Sequence, residues 1–374
     1  MFKLINTDKF ARVGELKVNN KKIKTPFFMP VATKGSVKYI NTNTLKNTKT
    51  KSIISNSLLM YWTYGLNNIK KAKGIHKFIN WDNFIFTDSG GFQSLNSNLL
   101  KYTTSKYALF KSPFDGLLHK ITPKKAMQIQ YDIASDVSMC LDEVPLYNDD
   151  LRTIRSKTLR THSWARECKK HHDEIDKKNK QLLFGIVQGG NYVDIRKKSI
   201  DFISKLNFDG IAQGGLAIGE PIENMYKTLK ITSKLMPKEK PRYLMGVGNP
   251  VDILESISNG IDCFDSTFPT QNARHGNLFT MNGYLKLLQK KYVVDFSPIE
   301  KDCDCFACKN YTRAFIRHLL KYKEGAGYEL ATIHNLRFMQ RLMEQIHIKI
   351  SEEKFYPFKE KIIKKYKKTK KLAI

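Results

Sequence analysis

No stretch of this sequence comes near the eighteen or so uninterrupted apolar residues that a membrane-spanning helix needs. The opening MFKLINTDKFARVGEL also lacks the apolar core of a secretion signal. A cytoplasmic protein with no membrane partner is therefore expected. Acidic residues are scarce: 35 Asp and Glu stand against 64 Lys and Arg, a formal net charge of +29. That excess favours a polyanionic partner such as nucleic acid over a small metabolite, although a Lys- and Asn-rich composition inflates it. Missing too is a Gly-rich dinucleotide fingerprint after the first apolar segment. Cysteine is sparse and uneven. Cys140, Cys168 and Cys263 are scattered, whereas Cys303, Cys305 and Cys308 are crowded, which reads as a metal site in a reducing compartment rather than a disulfide framework.

Apolar material is not lacking. Hydrophobic residues make up 41% of the 374 and aromatic residues 11%, enough for a sizeable core and too much for a disordered or collagenous chain. Eight short segments rich in β-branched and aromatic residues recur at 26–33, 52–57, 84–90, 136–143, 182–190, 210–217, 242–249 and 262–270. Amphipathic stretches such as PKKAMQIQYDIAS and PVDILESISNG lie between them. This alternation predicts an α/β fold, a (β/α)8 TIM barrel, with an open doubly wound sheet as the alternative. The expected organisation is a catalytic barrel over 1–285, a zinc-binding subdomain over 286–350, and a C-terminal helix and basic tail over 351–374.

Asn56, Asp88, Asp142, Gln188, Gly215, Gly246 and Asp265 fall at the C-terminal ends of these segments, where a barrel opens onto its active site. Each alone reads as a turn residue or helix cap. Three carboxylates and two amides on one rim read better as a site. TDSGGFQ sets Asp88 beside Gly90 and Gly91, which admit a flat ligand, and Phe92, which can cover an aromatic face. Asp265 ends the last strand, and two carboxylates across a mouth can do glycosidic chemistry. Gln188, Asp142 and the Gly214–Gly215 backbone suit the edge of a purine. Cys303, Cys305, Cys308 and His334 form a Cys3His set that favours a closed, structural zinc site over iron, with free buried thiols as the alternative. The run KEKIIKKYKKTKKLAI reads either as a frayed solvated helix or as a contact for phosphate.

Several motifs, in order, resemble the queuine/archaeosine-type tRNA-guanine transglycosylases: TDSGGFQ, SPFDG, ITPKKAMQIQ, LDE, FGIVQGG, GGLAIGEP, RYLMGVG, GIDCFDSTFPT and CDCFACKNYTRAFIRHL with TIHNL. The resemblance runs from about residue 8 to about residue 358. It implies a barrel with a zinc subdomain that replaces guanine at wobble position 34 of GUN-anticodon tRNAs with a 7-deazaguanine base. Asp265 would be the nucleophile of a covalent RNA intermediate and Asp88 the general acid/base. Phe92 and Met245 would sandwich the base, and Asp142, Gln188 and Gly215 would read its edge. Carbonyls near Leu216 and Ala217 would accept from an aminomethyl group. Thr270, Gln271 and Arg274 would meet the anticodon loop, and a homodimer is implied.

The chain also departs from the family pattern. Gln271 replaces an Arg of the PTRxxR segment, and SNSLLMYW lacks the His of NTYHL. Val144 resembles members that accept queuine, whereas Ile218 resembles those using 7-aminomethyl-7-deazaguanine, the base favoured here. A non-catalytic RNA-binding partner subunit and a paralogue acting on another nucleic acid are the competing readings. Retention of Asp265 speaks against the first of these.

Overall fold

A computed structural model describes residues 1–90, 98–178 and 180–371. Its centre is eight parallel strands: β1 Phe27–Pro30, β2 Ser52–Asn56, β3 Phe84–Asp88, β4 Val137–Met139, β5 Leu182–Val187, β6 Gly210–Gln213, β7 Arg242–Leu244 and β8 Cys263–Ser266. Each falls inside one of the eight expected segments. The spatial order is β1-β8-β7-β6-β5-β4-β3-β2. The ring closes where Val31 bridges Ile54 and the Ala32 N–H donates to the Ile54 carbonyl at 2.7 Å. Closure excludes the open doubly wound sheet.

The strands are short and apolar on both faces because helices cover the outside while side chains fill the inside. All six residues of β5 are buried. Within the barrel, Phe86 meets Phe184 edge-on at 5.7 Å, Tyr243 at 6.2 Å and Phe27 at 5.9 Å. These rings make the barrel a packed core below its mouth. At the start of β8, fully buried Asp262 is paired by Arg12 from the N-terminal three-stranded sheet, Nη2 to Oδ2 at 2.6 Å. Removing either partner would strand a buried charge.

A helix follows every strand: α1 Thr42–Asn47, α2 Ser57–Thr63, α3 Pro123–Ile133, α4 Leu151–Ile175, α5 Val193–Lys205, α6 Ile222–Thr232, α7 Pro250–Ile257 and α8 Phe268–Arg274. Their starts are written locally. Thr122 caps α3 ahead of Pro123, Asp150 caps α4, and Asn249 caps α7 ahead of Pro250. A small antiparallel sheet, Leu100–Thr103, Ala108–Lys111 and Leu118–Ile121, is inserted between β3 and α3.

Beyond the barrel lie a hairpin, Asn277–Thr280 with Gly283–Lys286, and helices α9 Arg313–Lys321, α10 Gly325–Ser351 and α11 Phe355–Lys371. α10 is buried along most of its length, and its apolar residues merge with the barrel's own packing. Over residues 359–371 the basic run is helical and not fully solvated. Ile362, Ile363 and Tyr366 are buried, and the Tyr366 hydroxyl donates to the Thr280 carbonyl at 3.0 Å. One face is thus docked while the lysines crowd the other. No helix among the described residues is long and apolar enough to cross a membrane.

Candidate active site and metal centre

The C-terminal ends of seven strands surround a cavity of about 350 Å³. Asn56, Asp88, Asp142 and Asp265 line it together with Gly215 and Met245, so most of the expected rim converges. Phe92 and Gly91 lie outside the described residues.

Asp88 ends β3 in a setting that favours its protonated form. Its Oδ2 accepts from Asn56 Nδ2 at 3.0 Å and its Oδ1 from the Gly90 N–H at 3.1 Å. Burial pushes its pKa up to about 7 against these two donors, which favour the anion, and the charge of Asp265 adds to the rise. Asn56 both caps α2, accepting from the Leu59 N–H at 2.8 Å, and orients Asp88. Cap and site are therefore not alternatives at this position. Gly90 is obligatory: its φ is +87°, and a Cβ would fall 2.2 Å from Leu58 Cδ1.

Asp265 ends β8 and is held differently. Both bonds fall on Oδ1, from the Tyr243 hydroxyl at 2.6 Å and the Gly246 N–H at 2.9 Å. Burial raises its pKa, and these two donors oppose the rise. Oδ2 has no partner among the described residues, so one oxygen is anchored while the other carries no hydrogen bond. Tyr243, whose own pKa is pushed well up by burial and then by Asp265, remains a donor at any physiological pH. Sequence reading missed it, because a tyrosine in an apolar strand looks like core. Its ring is indeed core, and only its hydroxyl belongs to the site.

Asp142 accepts from Gln188 Nε2 at 2.6 Å, and burial raises its pKa to about 7. Gln188 is fully buried behind the wall rather than on it. Cβ atoms at Gly214 and Gly215 would fall 2.4 Å from its Nε2 and 2.5 Å from its Oε1, so these glycines let the backbone rest against its amide. Among the described residues Gln188 Oε1 and the hydroxyls of Ser55 and Ser89 are buried without a partner, and both serines line the cavity. Orphan polar atoms gathered around one cavity mark a place for a polar ligand. Leu216 is buried in the same wall, and Val144 and Ile218 both line the cavity. The N–H groups of Ala217 and Ile218 donate to Glu220, the latter at 2.9 Å.

Outside the cavity, Gln271 is exposed and Arg274 partly so, with the Arg274 guanidinium 5.9 Å from the Tyr39 ring centroid. Thr270 is buried instead, and its hydroxyl donates to the Thr267 carbonyl at 2.9 Å. The three expected RNA-contacting residues therefore do not share one surface.

The Cys3His set assembles. All four ligand atoms lie within 4.8 Å of one another, and His334 Nδ1 is 3.8, 3.7 and 3.3 Å from the sulfurs of Cys303, Cys305 and Cys308. Neighbouring corners of a tetrahedron with bonds of about 2.0–2.3 Å are about 3.3–3.8 Å apart, so the group fits a four-coordinate ion. His334 Nε2 donates to the Phe279 carbonyl at 2.8 Å, which leaves the Nδ1 lone pair facing the thiols.

A free carboxylate oxygen, a second carboxylate titrating near neutrality and hydrogen-bonding edges beside them can together attack a carbon and move a proton. Fold and site thus define a class: a (β/α)8-barrel enzyme with a carboxylate pair at its mouth and a Cys3His centre alongside. The comparisons with known proteins narrow this. The queuine tRNA-ribosyltransferase family matches residues 7–368. Relatives named queuine tRNA-ribosyltransferase include that of Halothermothrix orenii, 45% identical over 356 residues, or 95% of this chain and 94% of the relative. Those of Thermodesulfovibrio yellowstonii and Fusobacterium nucleatum are 43% and 42% identical, covering 96% and 98% of this chain and 93% and 98% of their own. The chain belongs to the queuine tRNA-ribosyltransferase family.

Proposed function

We propose that this protein is an active tRNA-guanine transglycosylase. It exchanges guanine at wobble position 34 of GUN-anticodon tRNAs for a 7-deazaguanine base in queuosine biosynthesis. The observation that carries this reading is the unequal treatment of two carboxylates on one cavity. Asp265 attacks C1′ through its free Oδ2 as the C1′–N9 bond breaks, and the departing guanine takes a proton from Asp88. A covalent RNA ester results. The incoming base then gives its N9 proton to Asp88 and attacks C1′, releasing Asp265, so two inversions give net retention. Asp142 and the Gly215 backbone read the purine edge, Gln188 holds Asp142 from behind the wall, Met245 packs on the base's face, and Phe92 is assigned the opposite face from sequence.

The target nucleotide must leave the anticodon-loop stack. Unstacking costs a few kcal/mol, which the cavity's contacts and the cationic surface offset. Ile218, narrowing the wall beside Leu216 and Ala217, supports 7-aminomethyl-7-deazaguanine as the incoming base. Cys303, Cys305, Cys308 and His334 hold one structural Zn²⁺, which would tie the segment after residue 286 to α10 and take no part in the reaction. The protein acts in the cytoplasm as a homodimer. Exchange of labelled guanine into bulk tRNA tests the reading. Incorporation by the parent chain supports it, and RNA binding without incorporation would leave an accessory RNA-binding subunit instead.

A further inference from the structure

Helix α5 carries an arginine whose place a surface helix does not explain. Arg196 is fully buried, and no carboxylate lies within salt-bridge distance of it among the described residues. Its guanidinium bonds to backbone and amide oxygens. Nε donates to the Gly190 carbonyl at 2.5 Å, Nη1 to Gln213 Oε1 at 3.2 Å, and Nη2 to the carbonyls of Gly214 at 2.8 Å and Gly215 at 3.3 Å. One side chain thus ties the loop after β5 to the loop after β6. The first glycine of the QGG motif makes room for it: a Cβ at Gly189 would stand 2.9 Å from Arg196 Cγ.

In a trans peptide the C=O and the following N–H point in opposite directions. The carbonyls of Gly214 and Gly215 turn into the protein to meet Arg196. The N–H groups of Gly215 and Leu216, in the same two peptide planes, must then turn the other way, towards the cavity those residues line. Neither N–H has an acceptor among the described residues. Burial pulls the pKa of Arg196 down to about 9, which leaves it protonated at neutral pH and its donors intact.

We propose that Arg196 is a positioning residue for base recognition: it locks the Gly214–Gly215 and Gly215–Leu216 peptides so that their N–H groups face the ligand. This rests on the reading of the cavity as a purine site. A lysine keeps the charge but loses the planar fork that serves several acceptors at once, so Arg196→Lys is the primary variant and Arg196→Met the second. In the full-length enzyme, KM for guanine should rise ten- to a hundredfold while KM for tRNA stays within twofold. Amide hydrogen exchange over 214–218 should quicken at least tenfold with that of α7 unchanged. An unaltered guanine KM with unaltered exchange would overturn the proposal. So would a parallel rise in both KM values with faster exchange throughout, which marks a merely structural role. If the parent enzyme exchanges no guanine, the purine reading falls, and the amide exchange of the variants alone still decides the clamp.

Discussion

The unequal roles proposed for Asp88 and Asp265 rest on which atoms donate to them and how well each anion is compensated. Asp265 receives both its donors on one oxygen, so Asp265→Asn should leave the fold intact and give no covalent RNA adduct on a denaturing gel. An undiminished adduct would place the nucleophile elsewhere. Asp88→Asn should slow turnover about 10²–10⁴-fold, the usual worth of a positioned proton donor. Since the pKa of Asp88 lies at about 7, adduct formation by the parent enzyme should decline as pH rises through 7, and the variant should lose that dependence. The same shift acts on stability. A carboxyl whose folded pKa is raised from 3.8 to about 7 binds more protons folded than unfolded, so its favourable contribution is complete below 3.8 and lost as pH rises through 7. Asp88→Asn should therefore raise Tm at pH 8 and change it little at pH 4; calorimetry at the two pH values checks this. At the opposite wall, Ile218→Gly should let queuine compete better against labelled guanine. A gain of about tenfold is expected, since one to two methylenes of clearance in an apolar pocket are worth about 1–3 kcal/mol. No gain would make Val144 the residue that sets the base.

At the level of elements, α10 couples the metal centre to the mouth. His334 faces the thiols, while its neighbour Asn335 donates to the carbonyls of Pro269 and Asn277 and accepts from the Phe279 N–H at 3.0 Å. Pro269 opens α8, which carries Gln271 and Arg274. Binding free energy at a structural centre is folding free energy, so Cys305→Ser should lower metal content from one ion per chain, expose 286–350 to limited proteolysis and raise KM for tRNA. Full metal content in the variant would remove Cys305 from the ligand set. The eight strands and the Cys3His group were legible in sequence because each is a local signal: an apolar run of fixed length, or a cluster of ligand types. The inward turn of Thr270 and the docking of α11 were not, since an alcohol in a turn and a lysine-rich run carry no mark of which face is covered. Tyr243 and Arg196 escaped for a related reason. Their roles depend on partners on other strands, whereas Asn56, Asp88 and Asp265 are marked by standing at strand ends.

Across the whole molecule, the net charge of +29 gains a location. Beside α8 lies a groove of about 550 Å³ lined by Arg274, His275, Arg317, Lys321 and Lys323 with Tyr39 and Tyr328, and among the described residues no acidic one lines it. Such a surface suits a phosphodiester backbone with unstacked bases, where cations neutralise phosphates and rings accept a base or ribose face. Four fixed cations there, if each displaced one counterion from a single-stranded loop, would give a slope of about −2.8 in log affinity against log salt, at about −0.7 per phosphate. Raising salt from about 50 to about 200 mM should then increase KM for tRNA about fiftyfold. KM for guanine should not move, because a neutral heterocycle in the barrel mouth releases no counterions. Arg274→Ala should make the slope shallower by about 0.7 while leaving KM for guanine unchanged, since the side chain lies outside the cavity. A tRNA KM indifferent to salt, or a slope unchanged by Arg274→Ala, would place the anticodon loop away from this groove and return the positive charge to mere composition.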